Sequence, residues 1–517
     1  MKRGDFMLQV NNLKITLIKE GYPLVEGLSF TLNPNDKFAI IGDEGTGKST
    51  LLKALVDETM VPYIQLQGHY EFRGKIGYLE QDVLSRWGEA NVQSFLLKSA
   101  PDDTISPEGY EKLKHLNKAL SRVYFPSNSF SFDKTMAMFS GGEIIKLALV
   151  KLLIHDVDLF LLDEPSNDLD FNTILFLERF MKEETRPILF VSHDERLLEN
   201  IANGIIHLVR VKKRTQTQVY VEKMDYKTYR EHRLSHYAKT LQQAEKQRSD
   251  HKKKIDRWRR VYQIVEHQQN QVVRVPAHAR LLKKKIKSMQ SMKKRYEKEE
   301  QRFIDIPERE DAIELYFDDR SALPKGKVAL DVSIETLKVH DRVLAKNLNL
   351  KLMGRDKMAI IGANGVGKTT FLKTVVALAK KRDDLSVGYM PQDYEAMFKG
   401  KTVLEFLEAS QDRKREAKVR KMLGALNFER EEMERETAYL SGGQKVKLYL
   451  LKMVVNENNV LVLDEPTRNL SPLSAPELHK LLKDYQGCIL CVTHDRTFIE
   501  TVFDYMIELT EEGFIER

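Results

Sequence analysis

The sequence predicts an α/β protein: two units of one design, each built round a glycine-rich phosphate loop, joined by an antiparallel helical hairpin. Three observations predict it. One set of short motifs occurs twice in the same order. Unbroken apolar runs sit beside those motifs, the pattern of parallel strands buried on both faces. Between the two sets, a strongly basic segment spaces its apolar residues three and four apart, the period of a helical seam.

The first set runs Gly42-Asp43-Glu44-Gly45-Thr46-Gly47-Lys48-Ser49-Thr50, then Gln81, Ser140-Gly141-Gly142-Glu143, Asp163-Glu164 and His193. The second runs Gly362-Ala363-Asn364-Gly365-Val366-Gly367-Lys368-Thr369-Thr370, then Gln392, Ser441-Gly442-Gly443-Gln444, Asp464-Glu465 and His494. Lys48 and Lys368 stand 320 residues apart, Gln81 and Gln392 stand 311 apart, and the three later pairs 301 each. The second unit is therefore trimmed by 9 and then by 10 residues, and keeps register from Ser140 onward. Both trims are expected in loops or a helical insertion, where length changes are tolerated. The expected limits are 1–224 for the first unit, 225–305 for the hairpin, and 306–517 for a connector and the second unit.

Within each unit a short β-rich run, 37–41 or 357–361, feeds the glycine loop, and a helix opens behind it. Runs 159–162 and 460–463 read as buried parallel strands, and 188–192 and 488–493 repeat the pattern. The last run holds the two cysteines, Cys488 and Cys491. Two cysteines make no disulfide framework and point to a reducing cytosol. Their C-x-x-C spacing raises a redox or metal half-site, but residues three apart on a strand face opposite sides, so the thiols are not expected to converge. No apolar run reaches 18 residues, so no membrane span is expected. The first residues lack the apolar stretch of a signal peptide.

Residues 225–305 hold 23 Lys and Arg against 10 Asp and Glu, a net +13; the whole chain is +7, so everything else sums to −6. Tyr237, Leu241, Ala244, Ile255, Trp258, Tyr262 and Val265 form one seam; Leu282, Ile286, Met289, Tyr296 and Phe303 form another. Arg248, His251, Lys293 and Glu300 fall on core positions, so the coiled-coil spacing is imperfect. A helix over 226–267 would reach roughly 60 Å. A non-helical tip is expected near 268–277, where the period is lost and Pro276 acts as a breaker.

The motifs carry phosphate chemistry. G-x-x-x-x-G-K-[ST] turns backbone N–H groups inward on phosphates, with Lys48 and Lys368 reaching the outer ones and Ser49 and Thr369 meeting Mg²⁺. Asp163 and Asp464 end apolar strands, where they can hold Mg²⁺ through water. Glu164 and Glu465 can polarise the attacking water. Gln81 and Gln392 complete the expected metal set. Ser-Gly-Gly alone is most often a helix cap, yet the same turn at a helix N-terminus binds a γ-phosphate. His193 and His494, each after an apolar strand and in the same register, suit a γ-phosphate sensor. Tyr22 is the candidate for stacking on a base in the first unit.

This order resembles the ATP-binding cassette (ABC) superfamily over residues of roughly 8–224 and 326–517. The resemblance implies two ABC-type P-loop domains that pack head to tail, with ATP and Mg²⁺ as ligands. Lys48 would then share ATP with Ser441, and Lys368 with Ser140; Glu164 and Glu465 would be the catalytic glutamates. Tandem cassettes with a basic helical linker look like the ABC-F proteins, cytosolic ATPases that act on the ribosome. That likeness implies an intramolecularly paired monomer. Its linker would enter the ribosomal E site beside large-subunit rRNA and P-site tRNA, toward the peptidyl-transferase centre. Arg257, Trp258, Arg259, Arg260, Arg274, Arg280, Lys283, Lys284 and Lys285 are the candidate RNA contacts, since charge and reach suit recognition of an RNA backbone. No membrane partner and no DNA are expected.

Two departures stand out. The first D-loop reads Pro165-Ser166-Asn167-Asp168-Leu169-Asp170; the second reads Pro466-Thr467-Arg468-Asn469-Leu470-Ser471-Pro472, with Ser471 where the family pattern has Asp. Phe139 replaces the usual Leu before the first signature. The altered D-loop looks like that of members that protect ribosomes against antibiotics. The other readings are a housekeeping translation factor of the same family, the ATPase of a membrane transporter, a DNA-maintenance ATPase with a coiled arm, and a purely structural nucleotide-binding module. For the basic segment alone the plain reading is a solvated spacer.

Overall fold

Each glycine loop hangs from the middle of a parallel sheet. The computed structural model describes residues 7–19, 21–126, 130–167, 169–211, 216–271, 276–300, 303, 315–317, 322–340, 342–409, 412–426, 428–468 and 470–517. It divides into two compact units, 1–226 with 310–517, and 227–309.

In the first half the strands are β1 (Leu8–Leu17), β2 (Pro23–Leu32), β3 (Lys37–Ile41), β4 (Ile64–Phe72), β5 (Ile76–Leu79), β6 (Leu159–Asp163), β7 (Ile188–Val191), β8 (Gly204–Val211) and β9 (Gln216–Glu222). One sheet has the order β5-β6-β7-β3-β8-β9; a smaller one has β2-β1-β4. The larger sheet is parallel except for its β8–β9 edge. β6 and β7 are buried at every residue, which is why they read as unbroken apolar runs. β3 lies between β7 and β8, so the loop leaving Ile41 opens at the sheet's carboxyl edge, where α/β proteins bind ligands.

The second half adds β10 (Val328–Val339), β11 (Arg342–Met353), β12 (Lys357–Ile361), β13 (Val387–Met390), β14 (Val460–Asp464), β15 (Cys488–Val492), β16 (Tyr505–Thr510) and β17 (Gly513–Glu516). Its main sheet, β13-β14-β15-β12-β16-β17, repeats the first in order. Its antiparallel sheet is only β10–β11 among the described residues. The 9-residue trim thus falls on a strand and not on a loop: β4 has no counterpart. β4 is an edge strand bonded only to β1, so its loss leaves the remaining pair intact. Cys488 packs in one apolar cluster and Cys491 in another, on opposite faces of β15. Burial pushes the Cys488 thiol up to about 12, as befits an inert core thiol.

The two halves meet within the larger unit. Arg496 donates to Glu178 at 2.8 Å, Arg196 pairs with Glu500, and the Tyr226 hydroxyl donates to the Pro472 carbonyl at 3.0 Å.

The smaller unit is made from the helices Tyr226–Gln271 and Pro276–Glu300. They run antiparallel. His251 Nε2 lies 3.1 Å from the Tyr296 carbonyl, and Trp258 Nε1–H donates to the Met289 carbonyl at 2.9 Å. Val265 packs in one cluster with Leu282 and Met289. Each step of seven along one helix is thus matched by seven back along the other. His251, an apparent flaw in the seam, is buried and bonded, and its ring meets Tyr296 and Phe303 edge-on. The first helix runs to Gln271, beyond the expected end at 267. Pro276 opens the second helix and breaks nothing, because a first-turn N–H has no intrahelical acceptor to lose. Arg274 lies outside the described residues.

Candidate ATP sites

The first glycine of each loop sits where a side chain does not fit. Gly42 has φ +148°, and a Cβ there would come within 2.4 Å of the Leu208 carbonyl; Gly362 has φ +150° and would meet the Leu509 carbonyl at 2.5 Å. Gly47 and Gly367 adopt the left-handed conformation that starts the helices Lys48–Val56 and Lys368–Ala379. Each lysine folds back along its loop. Lys48 Nζ donates to the Gly42 and Asp43 carbonyls at 2.8 and 2.9 Å, and Lys368 Nζ to the Gly362 and Ala363 carbonyls at 2.7 and 3.1 Å. Burial lowers both ammonium pKa values, opposed by nearby carboxylates, Glu164 foremost for Lys48 and Glu465 for Lys368. A phosphate chain would replace those carbonyls as the lysines' acceptors.

The expected metal pairs are assembled. Ser49 Oγ donates to Asp163 at 2.9 Å, and Thr369 Oγ1 to Asp464 at 2.7 Å. Burial raises both aspartates. No cluster of three or more His, Cys, Asp or Glu forms a metal cage among the described residues. The donor set of hydroxyl, single carboxylate and open space fits Mg²⁺ arriving on a nucleotide.

Beside these pairs the two glutamates differ. Both take positive φ, +49° for Glu164 and +51° for Glu465, a conformation uncommon outside glycine. Glu164 accepts from Gln81 Nε2 at 3.0 Å and from Asn167 Nδ2. Among the described residues Glu465 accepts one long bond, from the His494 backbone N–H at 3.4 Å. Burial, and then the charge of Asp464, pushes Glu465 up to about 8. Gln81 therefore meets the glutamate and not the Ser49–Asp163 pair. Gln392 lines both cavities.

The histidines differ as well. His193 Nδ1 lies 2.7 Å from the Leu470 carbonyl across the interface, so that nitrogen carries the proton. Burial pushes His193 down to about 3 and His494 to about 4. Both rings are neutral at pH 7, and the 3.6 Å approach of His193 Nε2 to Glu164 is not an ion pair. Among the described residues His494 Nδ1 is buried with no partner.

Both Ser-Gly-Gly turns are capping boxes: Ser140 with Glu143 starts Gly141–Ile154, and Ser441 with Gln444 starts Gly442–Val455. The second is engaged from the opposite half, because the Gly442 N–H donates to the Glu44 carboxylate of the first phosphate loop. The cavity at the second loop, about 630 Å³, is lined across the interface by Ser166, Asn167 and Leu169, with Ser140 absent from its wall. The first loop thus touches the Ser441 turn through Glu44, the second cavity is closed by the first D-loop, and neither signature serine lines the cavity of the opposite loop.

Two wall residues, Tyr63 and Arg210, lie outside every motif. Tyr63, and not Tyr22, lines the first cavity. Arg210 lies 5.4 Å from the Tyr22 ring and donates to the Gly45 carbonyl. Arg468 lines both cavities. Asp170 caps Phe171–Glu183 through the Thr173 N–H at 2.9 Å; Ser471 accepts the Ser474 N–H at 3.3 Å in the turn before Ala475–Asp484, a helix that starts without a side-chain cap. Ser471 holds that turn and carries no charge. Asp168 and Asn469 lie outside the described residues.

A phosphate loop at the carboxyl edge of a parallel sheet, a hydroxyl–aspartate pair and a glutamate at the next strand's end define a nucleotide-binding ATPase fold, here present twice. Residues 25–167 and 345–468 match the family described as ABC transporter, so the chain belongs to that family, with two of its ATP-hydrolysing domains in tandem. It is 30% identical over 401 residues to ABC transporter F family member 5 of Arabidopsis thaliana, covering 74% of this chain and 53% of that protein. The chain thus spans about half the length of that relative. It is 28% identical over 532 residues to the probable ATP-binding protein YbiT of Escherichia coli O157:H7, covering 96% of this chain and 94% of the other. Among solved structures, the archaeal ribosome recycling factor aABCE1, in complex with the ribosomal stalk protein aP1, superposes with a TM-score of 0.57 at 16% identity, over 98% of this chain and 90% of that one. That likeness is one of fold. No described helix is long and apolar enough to cross a membrane.

Proposed function

We propose that this chain is a translation-linked ATPase of the ABC-F kind. With ATP and Mg²⁺ in both sites it closes on the ribosome, places its basic hairpin in the E site toward the P-site tRNA and peptidyl-transferase centre, and leaves on hydrolysis. The observation that carries the reading is the hairpin, with a net +13 between two ATPase domains. Arg257, Arg259, Arg260, Arg280, Lys283, Lys284 and Lys285 are all exposed, a positive surface suited to phosphates. Trp258 is withdrawn from that set, because its indole N–H is bonded to Met289 and its ring stacks on Tyr262 inside the seam. Relatives named as ABC transporter F family members support the same reading.

At each site the nucleotide supplies the phosphoanhydride, and Mg²⁺ the charge that neutralises its phosphates. Ser49 with Asp163, and Thr369 with Asp464, would hold the metal. Lys48 and Lys368 would turn from their loop carbonyls to the outer phosphates. Glu164 and Glu465 would orient the attacking water and accept its proton. Ribosome protection against an antibiotic is the finer form of the proposal, prompted by the altered second D-loop.

The test is the Glu164→Gln/Glu465→Gln double variant with ATP. It should cosediment with ribosomes, and cryo-EM of the pulled-down complex should place the hairpin beside tRNA. A double variant that sediments free of ribosomes would sink the reading. Capture of a membrane protein without rRNA would favour a transporter ATPase instead.

A further inference from the structure

The contact that joins the first phosphate loop to the second signature turn is made by a charge the second loop lacks. Glu44 occupies the third position of Gly42–Ser49, where the equivalent residue of Gly362–Thr369 is Asn364. Its carboxylate accepts the Gly442 N–H at the start of the helix Gly442–Val455. That N–H belongs to the Ser-Gly-Gly turn, the kind of helix start that binds a terminal phosphate. A helix start favours an anion through unpaired N–H groups and its dipole. The anion on it here is a side chain of this protein.

We propose that Glu44 is an internal substitute for the terminal phosphate: it holds the second signature turn to the first loop before nucleotide binds, and ATP must displace it. The inference rests on the proposed ATP-dependent closure and adds an order to it. Two costs fall on the first site and not on the second. The Glu44–Gly442 hydrogen bond must break. The displaced carboxylate must then remain near the triphosphate, because Glu44 lines the same cavity as Lys48 and Ser49. Asn364 adds no charge at the second site. The second site therefore fills first, and the first fills at higher ATP concentration.

Glu44 is exposed apart from this contact, so replacing it removes no core packing. The experiment is calorimetric titration of the full chain with a non-hydrolysable ATP analogue, paired with hydrogen exchange at the Ser441–Gln444 turn without nucleotide. Glu44→Gln and Glu44→Asn should each tighten the weaker binding step by about tenfold at low salt, and by less as salt screens the charge. The same variants should speed exchange at the turn in the nucleotide-free protein. Opposite signs are the signature, since a residue that merely shaped the loop would weaken both. Asn364→Glu should weaken the tighter step. If wild type binds in two steps and both Glu44 variants leave the weaker one unchanged or weaker, the substitute-phosphate role is overturned and the ATPase reading stands. If wild type binds no nucleotide at either site, both fall.

Discussion

The first ATP site is braced and the second is loose, although the two halves share one strand order. Glu164 is held by Gln81 and Asn167, and His193 is keyed to the Leu470 carbonyl of the other half. Among the described residues Glu465 has one long backbone bond, and His494 has a buried nitrogen without a partner. The charge relations are also exchanged. Asp170 of the first half bears on Lys368 and His494 of the second site. Its counterpart Ser471 carries no charge to return, and Glu44 supplies an anion to the first site from its own loop. Duplication thus preserved the scaffold that positions phosphates, while the residues that set protonation and closure diverged.

The largest effect should come from separating the glutamates. Burial that pushes Glu465 up to about 8 favours its protonated form at pH 7, a poor acceptor, so the first site should carry most of the turnover. Glu164→Gln should lower steady-state hydrolysis by about a hundredfold or to the second site's residue, whichever is smaller. Glu465→Gln should lower it far less. Equal losses in a phosphate-release assay would break the comparison.

Next in size is a pH dependence. In the Glu164→Gln protein only Glu465 remains to accept a proton. Its pKa is raised to about 8, so the active, ionised form is scarce below that pH and grows as pH rises. Residual turnover should climb about tenfold per unit between pH 6 and 7 and level off above 8. A flat profile would mean that Glu465 ionises early once nucleotide is bound.

A smaller change should follow from exchanging the D-loop residue. Arg468→Asn places at the second site the residue type that bonds Glu164 in the first. It should raise turnover of the Glu164→Gln background severalfold at pH 7 and move its pH midpoint downward. The smallest effect is expected from Asp170→Ser, which copies the second D-loop into the first half. Serine and aspartate cap helices about equally, so thermal unfolding should stay within about 0.5 kcal/mol of the parent. A loss of several kcal/mol would show that Asp170 braces the interface as well as the helix.

Much of this was legible along the chain. The phosphate loops, the buried strands behind Asp163 and Asp464, and the seam through Trp258, Val265, Leu282 and Met289 all follow from local spacing. The length difference between halves was legible as a number and not as an object, since nothing in 9 missing residues says whether a loop or the edge strand Ile64–Phe72 is gone. Trp258 looked available to RNA because its neighbours are charged; only the partner helix shows where its N–H goes. Tyr63 and Arg210 belong to no motif, and they reach the first cavity because strands and loops distant in sequence converge there.

By itself the sequence determined that two phosphate-binding α/β halves flank a basic helical hairpin, because periodicity, glycine placement and charge are local properties of the chain. Which donor each glutamate receives, which histidine nitrogen carries the proton, and that Glu44 meets Gly442 were decided by tertiary structure. Those depend on distances and burial between residues as many as 398 positions apart. Hydrogen bonding and desolvation at that range are set by packing, not by neighbours in sequence.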